Sequence, residues 1–166
     1  MALLLGLWVL IIFGLKISGA HYNPAISLAF MFRKDVGRFP RPLGIAYIIF
    51  QIIGGFLGAL LAWFFTSSKF GGVVILNNGA TFIAQGIITE ILGTYLVAFF
   101  YLMQTDPKTT FSKEKAITCF IIASSYIAAR SMMASSHITL SGACLNPAIG
   151  IGTSLTQLMA TGIDGF

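Results

Sequence analysis

Long apolar runs separated by short polar connections dominate the chain. Four of them, at about 1–17, 43–66, 82–103 and 116–136, are apolar over most of their length. Crossing a hydrocarbon core of roughly 30 Å takes about 20 helical residues at about 1.5 Å each. These four runs therefore read as spanning helices, the first being short for a full crossing. Two further apolar segments, 24–32 (PAISLAFMF) and 147–159 (PAIGIGTSLTQLM), are too short to span. Each opens on Asn-Pro, a preferred N-cap followed by the residue favoured at the first helical position. They read as half-helices that start after Asn23 and Asn146 and enter the membrane without crossing it. The pattern predicts an all-α membrane protein forming a single domain over 1–166, with four spanning helices and two re-entrant half-helices.

Composition agrees with lipid as the solvent. Apolar residues make up 57% and charged residues 9% of the 166 positions, and the mean hydropathy is +0.89. Both lie outside the range of soluble globular domains. A net charge of +5 raises nucleic acid as a partner, but that requires Lys and Arg clustered on one solvated face. Here Arg33, Lys34, Arg38 and Arg41 lie in the connection 18–42, with Lys16 at its border, and Lys108, Lys113 and Lys115 lie in 104–115. Lys69 and Arg130 fall toward the other side. This is a topology signal, placing 18–42 and 104–115 on the cytoplasmic side, or on the matrix side in a mitochondrial inner membrane. The expected partners are the bilayer and no nucleic acid.

Met1 to Ile17 carries no basic stretch before its apolar core and runs into SGAHYNP, so it reads as a retained span instead of a cleaved signal. Cys119 and Cys144 lack the C-x-x-C or His-accompanied spacing of metal and redox sites. His21 and His137 stand too far apart in topology to be assumed a ligand pair. No cofactor or metal is expected.

The strongest pattern is an internal repeat. Ser18-Gly-Ala-His-Tyr-Asn-Pro-Ala-Ile26 and Ser141-Gly-Ala-Cys-Leu-Asn-Pro-Ala-Ile149 match at seven of nine positions. A lone Asn-Pro would be ordinary turn or cap chemistry. Two copies in the same extended context, separated by three crossings, must approach the membrane from opposite faces. Inverted repeats with half-spanning helices aim their N-termini at the bilayer midplane. Non-helical backbone at that depth requires protein or water to satisfy it, which implies a buried polar path. Two facing N-termini raise the potential there and disfavour a cation or proton. The side chains of Asn23 and Asn146 are positioned to offer amide donors to a water or hydroxyl.

These segments resemble the aquaporin (major intrinsic protein) family, whose signature is SGAH-x-NPA in the first half and SG-x-x-x-NPAR in the second. Gln51 opening the glycine-rich QIIGGFLGALLAWF, and Glu90 in EILGTYLVAF followed by Gln-Thr-Asp at 104–106, fit the family in order. The resemblance implies an aquaporin-like inverted repeat whose pore residues are Asn23, Pro24, Ala25, Asn146, Pro147 and Ala148. It implies that Glu90 accepts hydrogen bonds from the backbone of a re-entrant loop and that His21 supports the loop it sits in. Arg130 is expected to snorkel to an interface or to bind loop carbonyls. After the second NPA the family has Arg, whereas this chain has Ile149. Counting from the motifs puts Leu3, Ala134 and Ala143 at the other constriction positions. All four are apolar, which implies a wider and less polar mouth than that of a strict water pore.

The resemblance runs from the family's second span to its second half-helix, so the first and last family spans are expected to be lacking. Two functions follow. One is passive, non-enzymatic permeation of water or a small neutral solute, with a homotetramer as the assembly implied by the family. The other is a non-conducting accessory subunit of a larger membrane complex that keeps the channel scaffold, with other membrane subunits as its partners.

Overall fold

The structure, a computed structural model, describes residues 1–34, 39–66, 80–134 and 142–161. Among the described residues six helices follow one another: α1 (Ala2–Ser18), α2 (Pro24–Phe32), α3 (Arg41–Phe65), α4 (Ala80–Thr105), α5 (Lys115–Ala134) and α6 (Pro147–Thr161). Their ends follow from local chemistry. α1 stops at Gly19, whose φ of 77° is the left-handed C-cap conformation, and Lys16 in its last turn offsets the negative end of the helix. α3 begins after Pro40 and carries a second proline in its first turn, where the missing N–H has no intrahelical partner in any case.

Among the described residues three helices are long and apolar enough to cross a bilayer: α3, α4 over Ile83–Thr105 and α5 over Lys115–Met133. The fourth expected span is the shorter apolar helix α1. The run at 1–17 forms α1, but its 17 residues reach only about 26 Å at 1.5 Å per residue. Large apolar side chains face outward along the bundle, among them Phe13, Phe64 and Phe65 at 72–76% exposure. Lipid accommodates such a surface, where water would not.

The helices pair as α1 with α5, α4 with α5, α3 with α6, and α2 with α3, α4 and α6. Between helices in lipid the attraction comes from close packing and hydrogen bonds, so small residues mark the contacts. At the α3–α6 crossing, a Cβ on Gly152 would lie 2.5–2.7 Å from the backbone of Gly55 and Phe56, and one on Gly55 would fall on the Ala148 carbonyl. The Trp8 indole N–H ties α1 to α5 by donating to the Ala116 carbonyl at 2.9 Å. Ile11, Ile26, Val97, Ile122 and Leu145 are among the side chains filling the interior.

On the side of the expected basic loops, Arg33 just past α2 pairs with Asp106 just past α4 at 2.6 Å. The Lys108 N–H donates to the same carboxylate at 2.8 Å. That bond first, and the Arg33 charge after it, hold Asp106 below the usual carboxylate range.

Candidate functional site

The two repeat segments share an unusual backbone. Gly19, Ala20 and Tyr22 have φ of 77°, 53° and 47°, and Gly142, Ala143 and Leu145 have 71°, 51° and 53°. The two sets are related residue for residue by the offset of the sequence repeat. For residues other than glycine this conformation costs about 1–2 kcal/mol each, so four positions need external support. In the first segment Tyr101 Oη donates to the carbonyls of Gly19 and Ala20, at 2.5 and 2.9 Å. In the second, Glu90 accepts the N–H groups of Cys144 and Leu145 at 2.8 and 2.7 Å, while Tyr126 Oη donates to the Cys144 carbonyl at 2.8 Å. Strained backbone held in this way is typical of functional segments.

Each segment ends on its asparagine. Asn23 Oδ1 accepts the Ala25 N–H at 2.9 Å and Asn146 Oδ1 accepts the Ala148 N–H at 3.1 Å, so both act as N-caps. With the oxygens committed to the caps, the amide nitrogens point the other way. Asn23 Nδ2 donates to the Leu145 carbonyl at 2.8 Å, and Asn146 Nδ2 donates to the Tyr22 carbonyl at 3.0 Å. The N-termini of α2 and α6 therefore meet in a reciprocal clasp. Sequence reasoning positioned both amides to offer donors to a permeant, and one hydrogen of each is used in this clasp. Each amide has a second hydrogen, and both asparagines line one cavity. Pro24 is buried and Pro147 exposed at the starts of their helices, and Ala148 is buried against α3.

That cavity has a volume of about 950 Å³. Leu3, Leu10, Phe50 and Ile149 contribute apolar wall, and Gln51, His21 and the two asparagines are polar points in it. Of the four constriction positions counted from the motifs, the structure brings Leu3 and Ile149 to the same cavity. Ala143 is not among its lining residues; it is 1% exposed in the left-handed segment. The side chain of Ala134 lies outside the described residues, as do His137 and Ser141.

His21 lies 6% exposed beside the first segment. Its Nδ1 is 3.1 Å from Ser27 Oγ, which in turn is bonded to the Gln51 amide at 2.9 Å. Arg130 is exposed on α5. Sequence reasoning missed Tyr101, Tyr126 and Ser27. The available signal was a phenol in an apolar span, since a buried Tyr hydroxyl needs a partner.

A family model described as "Major intrinsic protein" matches residues 1–158. A probable aquaporin TIP2-2 from Oryza sativa subsp. japonica is 30% identical over 92% of this chain and 57% of its own length. A probable NIP-type aquaporin from Nicotiana alata is 31% identical over 89% of this chain and 50% of its own length. A probable glycerol uptake facilitator protein from Thermotoga maritima is 33% identical over 49% of this chain and 38% of its own length. The chain spans about half the length of the first two of these curated relatives.

Proposed function

Because the chain belongs to the major intrinsic protein family, we propose that it is a channel for passive permeation of water or small neutral solutes. The observation that carries this is the asparagine clasp on a shared cavity that Asn23 and Asn146 both line, each amide having a second hydrogen to donate. A permeant oxygen accepting from these donors exchanges its hydration for protein hydrogen bonds of similar strength, so passage has a low barrier. The two helix N-termini place their positive ends at the same point and disfavour cations there. Pro24, Ala25, Pro147 and Ala148 start the helices that hold this geometry. Permeation makes and breaks no covalent bond, and the proposal includes no enzymatic step.

We infer a solute preference from the wall. Ile149 stands where the family's Arg would put a charge, and Leu3 joins it on the cavity surface. A mouth of this kind admits the carbon backbone of a polyol or a similar neutral solute as well as water. The similarity to a protein named as a glycerol uptake facilitator supports this reading. The channel reading is favoured over an accessory subunit, since the relatives are named as aquaporins and a facilitator. The proposal includes one domain over 1–166, basic loops on the cytoplasmic or matrix side, and a homotetramer.

Stopped-flow light scattering on proteoliposomes tests it. The protein should shrink or swell vesicles faster than protein-free controls, and Asn146→Asp should slow the response. Equal rates for protein, variant and empty vesicles would overturn the channel.

A further inference from the structure

One end of the bundle carries a strong charge bias. Tyr101, a turn before the end of α4, holds the carbonyls that follow α1. Arg33 past α2 pairs with Asp106 past α4, and a Cβ on Gly44, in the first turn of α3, would fall on Met31 near the end of α2. The last turns of α1, α2 and α4 and the first turns of α3 and α5 therefore share this end. Arg33 and Asp106 neutralise each other. That leaves the exposed Lys16, Lys34, Arg41, Lys108, Lys113 and Lys115, with Glu114 as the remaining acid at this end among the described residues.

The α4–α5 connection shows how this surface is built. Its own polar groups turn to the backbone: Thr109 Oγ1 donates to the Met103 carbonyl at 2.8 Å, and Thr110 and Thr118 donate to the Ser112 carbonyl at 2.9 and 3.3 Å. Ser112 Oγ accepts the Glu114 N–H at 3.1 Å. What remains outward is Phe111, 65% exposed, between Lys108 and Lys113. The same pairing of an outward apolar side chain with a neighbouring cation recurs at Ile17 beside Lys16 and at Phe32 two residues before Lys34, 86% and 73% exposed. Water solvates the cation of such a pair and not its apolar neighbour, whereas the headgroup layer offers phosphate to one and hydrocarbon to the other. A soluble anion would satisfy the lysines and leave Phe111 in water. We infer that this end is a binding surface for anionic phospholipid headgroups, with Lys113 and Lys115 as ligands of their phosphates. The inference uses the apolar spanning helices and is independent of what the chain conducts.

Trp8 reports from this surface, because its indole donates to the carbonyl of Ala116, next to Lys115. Trp63→Phe leaves it as the only tryptophan of the chain. In mixed bilayers of phosphatidylcholine and phosphatidylglycerol, Trp8 quenching is compared with bromine on the chains of one lipid or of the other. Phosphatidylglycerol should show an apparent affinity roughly threefold or more above that of phosphatidylcholine. In about 1 M salt, where the screening length is about 3 Å, the two should converge. Lys113→Gln/Lys115→Gln should remove most of the preference, and Lys113→Arg/Lys115→Arg should keep it. The salt comparison uses the native lysines, so it decides even where a lysine variant folds poorly. Equal quenching by the two lipids at low salt, or a preference that survives both salt and the glutamine substitutions, overturns the assignment. So does equal quenching combined with a polyglutamate peptide that binds the native lysines and not their glutamine replacements, since the surface then serves an acidic protein segment.

Discussion

Asn23 and Asn146 each donate their amide nitrogen to the carbonyl preceding the other, at 2.8 and 3.0 Å, while their oxygens cap their own helices. Each side chain thus fixes a helix start and joins it to the other repeat. Removing either should remove a cap of about 1 kcal/mol and a cross-repeat bond of about 1 kcal/mol. Asn23→Ala and Asn146→Ala are therefore expected to destabilise the protein by similar amounts, read as matched downward shifts in melting temperature in detergent. A large asymmetry between them would show that only one end of the clasp holds the fold.

Glu90 supports the second segment alone, with one carboxylate oxygen for each of two consecutive N–H groups. Glu90→Gln keeps one acceptor and sets an NH₂ group against the other N–H. Hydrogen bonds to a charged group contribute about 1.5–3 kcal/mol, so the variant should lose about that much. Glu90→Ala leaves both donors without this acceptor and should lose more. Thermal unfolding followed by intrinsic fluorescence should rank parent, Gln and Ala in that order; a Gln variant as stable as the parent would remove the carboxylate from this role.

These residues also mark how far the sequence could be read. The asparagine caps were visible because the motif occurs twice, and Glu90 because a carboxylate in an apolar run needs a donor. The clasp was not, since each amide bonds to a backbone carbonyl more than 120 residues away. Tyr101 and Tyr126 escaped for the same reason: their partners are carbonyls of loops whose left-handed backbone no side-chain pattern announces. Ala143 was placed by counting along a motif, which fixes its position in the loop but not the direction of its Cβ. The length of α1 was signalled by its short apolar run, while the ring contacts of His21, Phe30, Phe39, Tyr47 and Tyr101 join three helices and two connections and have no local signature.

The glycines of α3 and α6 separate into two kinds. Gly152 faces the Gly55 and Phe56 backbone at 2.5–2.7 Å from where a Cβ would sit, and backbone cannot move aside as a side-chain tip can. Gly152→Ala should cost about 1–3 kcal/mol through overpacking and broaden the size-exclusion profile. Gly58 has no heavy atom within 4 Å of such a Cβ. Gly58→Ala should be neutral, or stabilising by about 0.5–1 kcal/mol through helix propensity. Equal behaviour of the two variants would contradict the close α3–α6 crossing.

Ile149 offers a direct test of the cavity's selectivity. It stands at the third position of α6, is 43% exposed and lines the cavity with Leu3 and the two asparagines. Ile149→Arg would place a guanidinium there, narrowing the mouth and adding donors that bind water well and an alkyl chain poorly. The charge sits beside the positive end of α6, an unfavourable placement of about 0.3–1 kcal/mol, which the fold should tolerate. Glycerol permeability should then fall by roughly tenfold while water permeability falls by less than about threefold. The ratio is the informative quantity, because a general loss of folded protein lowers both rates together. Parallel loss of water and glycerol flux, at equal amounts of folded protein, would place Ile149 outside the selective part of the path.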